Sequence, residues 1–208
     1  MAVDMAQETS SAFVRTHDKL TDLCDHLRSV PRFALDTEFI SERRFSPELG
    51  IIQIGTDEQA KIIDPQSVED LSPFCEVLCD KHVEKVVHAG RQDLEIFYRL
   101  GGEIPTPVFD TQIAAALVGI GEQVSYTRLV EDLLGVSLKR HEGFTDWRER
   151  PLSENQIEYA LDDVRYLLPV ADRLRRRLRR LGRLKWAREE FAGLIADIHG
   201  GFLAAARA

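Results

Sequence analysis

The segment Phe33-Ala-Leu-Asp36-Thr-Glu38-Phe39 alternates with the period of a β-strand and carries two carboxylates two residues apart. Side chains at i and i+2 of a strand share a face, so Asp36 and Glu38 point the same way. Phe33, Leu35, Thr37 and Phe39 take the opposite face, the one that buries in a core. Two neighbouring carboxylates repel unless a cation holds them, and a hard divalent ion with oxygen ligands is the simplest resolution. A solvated face at a sheet edge is the competing reading of the pair. Asp-x-Glu recurs at Asp93-Leu-Glu95, but there the pattern is helical, and residues two apart on a helix diverge by about 200°.

The pattern around this strand indicates an α/β chain. Apolar Leu20, Leu23 and Leu27 with Cys24 predict a helix over 17–29, ended by Pro31. The runs 33–39, 50–55 and 60–64 predict a meander of strands, and Val83-Glu-Lys-Val-Val-His88 predicts a central one. Helices are expected at about 68–80 and from Gly90 through Leu100, the latter closed by Gly101-Gly102. Val108-Phe109 is a short strand candidate before helices at about 111–118 and 126–134. A long helical segment begins at Ser153, where Gln156 completes a capping box, and another covers about 184–198. Pro169 predicts a kink or break in the long segment. Strands first and helices later give a mixed β-sheet flanked by α-helices. We expect one domain over 1–208, with its motif-bearing core at about 30–170 and C-terminal helices at about 171–200.

Composition narrows the setting. With 208 residues and 44% hydrophobic content, the chain can build a core without disulfide staples. Cys24, Cys75 and Cys79 form no framework spacing, which favours a reducing compartment. The opening Met1-Ala-Val-Asp-Met-Ala-Gln-Glu-Thr-Ser10 lacks a basic and an apolar region, and no stretch approaches a membrane span. A cytoplasmic protein without a membrane role or an evident obligatory protein partner is expected. The net charge of −8 argues against coating nucleic acid by bulk electrostatics. An acidic body can still act on phosphates when cations sit between its carboxylates and the substrate.

Two further elements carry candidate acids. In His88-Ala-Gly-Arg-Gln-Asp93, a strand ending at His88 and a Gly turn place Asp93 in the first turn of a helix. There its charge also suits the helix dipole. In Tyr159-Ala-Leu-Asp-Asp163, Tyr159 and Asp163 are four apart and share a helix face, beside an apolar stripe of Ile157, Leu161, Val164 and Leu168. A buried hydrogen bond explains that pair equally well, and Asp162 is rotated toward solvent.

Taken in order, Asp36-Thr-Glu38, Asp93 in its His-Ala-Gly-x-x-Asp-Leu-Glu context and Tyr159-x-x-x-Asp163 resemble the ribonuclease D family of DEDDy exonucleases. Leu49-Gly-Ile-Ile-Gln-Ile54, Phe109-Asp-Thr-Gln112, Thr145-Asp-Trp-Arg-x-Arg-Pro-Leu152 and Asp163-x-x-Tyr-Leu-Leu-Pro169 extend the resemblance over about Phe33 to Val170. It implies a ribonuclease H-like fold and 3′-to-5′ hydrolysis of RNA with a single-stranded 3′ end to nucleoside 5′-monophosphates. It also implies two divalent cations, Mg²⁺ or Mn²⁺: Asp36 bridging both, Glu38 and Asp163 completing the first site, and Asp93 holding the second. Tyr159 would orient the attacking water. Thr37, Phe39, His88 and Trp147 are the expected substrate contacts, with Phe39 and Trp147 stacking on terminal bases; core packing competes for Phe39, and a structural role competes for His88. Longer family members carry helical HRDC domains, for which the segment after Pro169 is too short.

DNA is the alternative substrate, since a metal site handles phosphates without reading the 2′ hydroxyl. A nucleic-acid-binding module with a silent site is the alternative from another class, and the presence of all four acids with Tyr159 argues against it. The stretch 173–185 holds eight basic residues and no acidic ones, with Leu174, Leu178, Leu181 and Leu184 at helical spacing. It reads as a basic amphipathic helix, a solvated or acid-paired face competing with an RNA contact. Cys75, Cys79 and His82 have zinc-like spacing without a fourth ligand, so core thiols are the default.

Overall fold

Alternating and continuous apolar runs form six strands in the computed structural model, which describes residues 12–40, 48–138 and 146–205. The opening Met1–Ser10 and Thr145 lie outside the described residues. In chain order the elements are β1 (Phe13–Val14), α1 (His17–Ser29), β2 (Arg32–Ile40), β3 (Glu48–Gly55), β4 (Ala60–Ile63), α2 (Ser72–Cys79), β5 (Glu84–Val87), α3 (Arg91–Gly101), β6 (Val108–Asp110), α4 (Thr111–Leu117), α5 (Tyr126–Leu134), α6 (Glu154–Arg165), α7 (Leu167–Arg180) and α8 (Leu184–Ala205). Strand order is β1-β4-β3-β2-β5-β6. The β2–β3–β4 meander is antiparallel, while β5 runs parallel to β2 and β6 parallel to β5. The sheet is therefore mixed, as expected. Only β1, two residues beside β4, has no counterpart in the sequence reading.

β2 lies inside the sheet, and both of its faces are covered. Phe33 and Leu35 pack with α1, α2 and α3 residues such as Leu27, Phe74 and Phe97. Ala34, on the face that carries Asp36, packs instead with Val164, Leu168 and Leu174 of α6 and α7. The solvated-edge reading of Asp36 and Glu38 is thereby excluded. A register shift between Glu38 and Phe39 disturbs the alternation, and Phe39 is half-buried rather than in the core.

The helix ends follow local chemistry. Ser153 and Gln156 form the capping box of α6. The break between α6 and α7 falls at Tyr166, three residues before Pro169. A proline ring clashes with the carbonyl four residues back, here Arg165, so the helix must open just ahead of it. The basic stretch is not one helix: α7 ends at Arg180, and Gly182, in the left-handed region at φ 67°, turns the chain into α8. Asp162 accepts from Arg165 and is 17% exposed, so it does not stand free in solvent as expected.

Two features fix the layers. Lys85 of β5 is fully buried, and its Nζ donates to the carbonyls of Asp80, Val83 and Thr106 at 3.0, 2.7 and 2.6 Å. All three ammonium hydrogens are used. Burial pulls this pKa down to about 8, against the charges of Cys79, Asp80 and Glu84. On the other side of the sheet α6 approaches β3 at Gly55, where an added Cβ would stand 2.7 Å from the Val164 carbonyl. No described helix is long and apolar enough to cross a membrane.

Gly55→Ala would push α6 off the sheet beside Asp163. Overpacking of this kind costs about 1–3 kcal/mol. A chemical-denaturation midpoint that fails to drop in this variant would show that the contact yields without strain.

Candidate active site

Asp36 sits on β2 opposite Gln53 of β3, and Glu38 follows two residues on, opposite Ile51. Asp93 arrives from the first turn of α3 and is 7% exposed. Its carboxylate accepts a hydrogen bond from the Thr37 hydroxyl, between the two acids of β2. Asp163 arrives from the last turns of α6, with Tyr159 one turn earlier.

These side chains form one electrostatic unit. Burial holds Asp36 well above the ordinary carboxylate range, and the charges of Asp93, Asp163 and Glu38 push it further. Burial lifts Glu38 to about 7 against hydrogen bonds from Tyr159 and Trp147. Burial lifts Asp93 to about 6, against the Thr37 hydrogen bond. Asp163 rises to about 8 through burial and then the charge of Glu38. No lysine or arginine is among the described neighbours that set these four values. Tyr159 is driven upward by burial and by Asp163, Glu38 and Asp36, so it stays protonated at neutral pH. Its hydroxyl is hydrogen-bonded to both Asp163 and Glu38. One phenolic proton cannot fully serve two carboxylates, which fits their retention of protons.

The donor set suits a hard divalent cation. Acidic oxygens converge without a basic partner among the described residues, and Asp163 Oδ2 is buried with no hydrogen-bond partner. No three described His, Cys, Asp or Glu side chains form a closed ligand cluster. The acids meet as interacting charges, with Thr37, Tyr159 and Trp147 bonded to them, rather than as a finished cage.

The other expected contacts are placed as follows. Thr37 is buried against Asp93. Trp147 is 7% exposed, bonded to Glu38 and 6.0 Å from the Tyr159 ring, so its ring is enclosed rather than open to a base. Phe39 is half-buried. The His88 ring bonds Thr111 Oγ1 at 2.9 Å and the Val124 carbonyl at 3.1 Å, which ties the end of β5 to the segment before α5. Cys75 and Cys79 are free thiols with pKa values raised by burial, Cys75 to about 11.

Three supporting residues had no role in the sequence reading, although Asp110 and Gln53 lie within its quoted motifs. Asp110 accepts from Ala89 N at 3.2 Å and Gly90 N at 2.9 Å while capping α4, and so fastens the turn that presents Asp93. That turn needs fastening, because Ala89 has a φ of 52°. The Tyr126 hydroxyl donates to the Asp162 carbonyl at 2.9 Å and accepts from Tyr166 N at 3.3 Å, which pins the α6–α7 break beside Asp163. Gln53 is fully buried opposite Asp36, with neither amide atom partnered among the described residues. A lone polar residue in the apolar run Ile51-Ile-Gln-Ile54 was the available signal for it.

The chain is similar to known proteins in sequence and fold. A family model described as a 3′-5′ exonuclease matches residues 11–179. The chain is 45% identical to ribonuclease D of Granulibacter bethesdensis over 186 residues, 89% of this chain and 47% of that protein. It thus spans about half the length of the curated relatives it matches. The crystal structure of Escherichia coli RNase D, described as an exoribonuclease involved in structured RNA processing, superposes with a TM-score of 0.86 at 40% identity, over 89% of this chain and 50% of that one. Brucella melitensis NrnC superposes with a TM-score of 0.77 at 28% identity, over 95% of this chain and 93% of that one.

Raised carboxyl pKa values have a stability consequence. Unfolded, these groups titrate near 3.8 and 4.5; folded, Asp93, Glu38 and Asp163 titrate near 6, 7 and 8. Between those limits the folded chain binds more protons than the unfolded one, so stability falls as pH rises from about 4 to about 8. In EDTA the melting temperature is expected to drop across that window, and millimolar Mg²⁺ to restore more of it at the upper end than at the lower. A melting temperature that rises with pH in EDTA would contradict the shared charge of the acids.

Proposed function

The chain belongs to the 3′-5′ exonuclease family, and from that membership and the site's chemistry we propose that it is a 3′-to-5′ exoribonuclease of the ribonuclease D type. It removes nucleoside 5′-monophosphates from single-stranded RNA 3′ ends, and its described residues act as one exonuclease domain. One observation carries the reading: a buried acid from α3 and half-buried acids from β2 and α6 raise one another's pKa values with no basic partner among the described residues.

Family membership entails dependence on divalent metal. In the proposed arrangement Asp36, Glu38, Asp93 and Asp163 hold two cations, Mg²⁺ or Mn²⁺. Bound there, such ions supply a low-pKa water and neutralise charge on the leaving 3′ oxygen. Tyr159 is a positioner. Burial and the neighbouring acids keep it protonated, and its hydroxyl, donating to an acid, keeps lone pairs to accept from the attacking water. Thr37 restrains Asp93, and Trp147 restrains Glu38. The half-buried Phe39 and His88 remain the candidates for contact with the terminal nucleotide. Free cysteines suit a reducing, cytoplasmic setting.

A second reading concerns substrate length. NrnC, matched over nearly the whole of both chains, has also been solved bound to pGG. Very short RNA is therefore the competing substrate class.

The test is a product ladder on matched 3′-tailed RNA and DNA oligonucleotides and a dinucleotide, with and without Mg²⁺ or Mn²⁺. Metal-dependent mononucleotide release from the longer RNA is expected. Preference for the dinucleotide would favour the second reading, and preference for DNA would move the substrate class. Asp36→Ala and Glu38→Ala should each abolish activity, and persistence in both would refute the assignment. Tyr159→Phe should slow turnover on the order of 10² with metal affinity nearly unchanged; an unaltered rate would remove the positioning role.

A further inference from the structure

α7 leads directly away from the acids. It begins four residues after Asp163 and runs along the face of the sheet that bears Asp36. Asp172 pairs through both carboxylate oxygens with Arg32, at the start of β2, and Arg175 pairs with Glu84, at the start of β5. Arg32 to Asp36 is four residues of strand, about 13 Å. Asp172, fastened to Arg32, therefore stands about 13 Å from Asp36 along β2, and α7 reaches it from the break at Tyr166, running opposite to the strand. Continuing to Arg180 adds about 12 Å. The end of α7 thus lies roughly 25 Å from the acids along one face.

What α7 exposes along that path is unlike the rest of the chain. Arg173, Arg176 and Arg180 are exposed at i, i+3 and i+7, one stripe of the helix, with exposed Arg179 beside it. Opposite them Leu174 and Leu178 are fully buried. Other cations nearby have partners: Arg175 has Glu84, Arg183 donates to the Leu117 carbonyl at 2.6 Å, and Lys185 pairs with Glu189 at 3.6 Å. Arg173, Arg176, Arg179 and Arg180 have no salt bridge or side-chain hydrogen bond with a described residue, although the Arg176 charge helps hold the Asp172 carboxyl low. Arginines in a helix's last turn also offset its dipole, but Arg173 and Arg176 lie before that turn. Just past the Gly182 turn, Trp186 is 54% exposed, with the Arg183 guanidinium 5.6 Å from its ring centre. Without residues 173–185 the chain carries 19 basic and 35 acidic residues, so this patch is its strongest local attraction for a polyanion.

We propose that the arginine stripe Arg173–Arg176–Arg180, ending at Trp186, is a second RNA site that grips the backbone upstream of the 3′ end held at the acids. The proposal deepens the exoribonuclease reading and rests on it. Unpaired guanidiniums match phosphates, and an exposed indole offers a stacking platform to a single-stranded base. Twenty-five ångströms is about seven stacked nucleotides at 3.4 Å each. A stacked trinucleotide, about 10 Å long, stops short even of Arg173, which follows Asp172 about 13 Å from Asp36, whereas a 20-nucleotide strand runs the length of the stripe.

The experiment compares the wild type with Arg173→Gln/Arg176→Gln/Arg180→Gln and, separately, Trp186→Ala. Anisotropy of a fluorescein-labelled 20-nucleotide RNA in EDTA gives affinity across a salt series, and hydrolysis of a trinucleotide in Mg²⁺ gives basal activity. The triple variant is expected to bind on the order of tenfold more weakly and to flatten the log–log salt slope by about 2, at about 0.7 per lost single-strand phosphate contact. Trp186→Ala should weaken binding without changing the slope. Trinucleotide hydrolysis should stay at the wild-type rate in both. Unchanged 20-nucleotide binding, or equal loss on the two substrates, overturns the proposal. So does a salt-dependent change in oligomeric state on sedimentation with RNA binding intact, which would assign the stripe to a second copy of the chain. If the wild type hydrolyses nothing yet binds RNA through the stripe, the nuclease reading fails while this site stands.

Discussion

Like charges confined away from water repel strongly, and in this protein that repulsion is concentrated on Asp36. Two unit charges 4 Å apart interact by about 4 kcal/mol at an effective dielectric of 20, and Asp36 feels Asp93, Asp163 and Glu38 together. Folding would not tolerate the arrangement unless neutral donors and proton uptake moderated it. Thr37, Tyr159 and Trp147 supply the donors, each from beside or between the acids. The supports around them are backbone devices: the Asp110 clasp on the turn before α3, and Tyr126 across the α6–α7 break. Much of the middle of the chain thus serves to present three segments at one end of β2.

Rigidity at that end comes from elsewhere in the sheet. The Lys85 ammonium gathers carbonyls from the α2–β5 connection and from just before β6, closing the far end of two strands. Arg150 does comparable work near β3. It donates to both carboxylate oxygens of Asp64, at 2.9 and 2.8 Å, and to the Gly50 carbonyl at 2.9 Å. Hydrogen bonds to Arg150 hold the Asp64 carboxyl below its usual range, against the opposing effect of burial. This clamp fixes the segment carrying Trp147, and through it Glu38.

Much of this was legible before any coordinates. A period of two placed Asp36 and Glu38 together, a spacing of four paired Tyr159 with Asp163, and Ser153 with Gln156 marked a helix start. What escaped depends on contacts between distant segments. β1 is two residues long and exists through pairing with β4. The irregularity after Glu38 takes Phe39 out of the alternation. Trp147 looked like a surface platform because aromatic rings do stack on bases, but tertiary packing enclosed it. Gly182 divides the basic stretch, where leucine spacing alone suggested continuity.

β2 has antiparallel β3 on one side, parallel β5 on the other, and helices over both faces. A frame slip of one residue would send Phe33 and Leu35 under α6 and turn both acids into the opposite layer. Folding and chemistry are thereby read from a single alignment. An inserted or deleted codon between Phe33 and Asp36 therefore strikes the core and the acids together, whereas the irregularity after Glu38 falls beyond both.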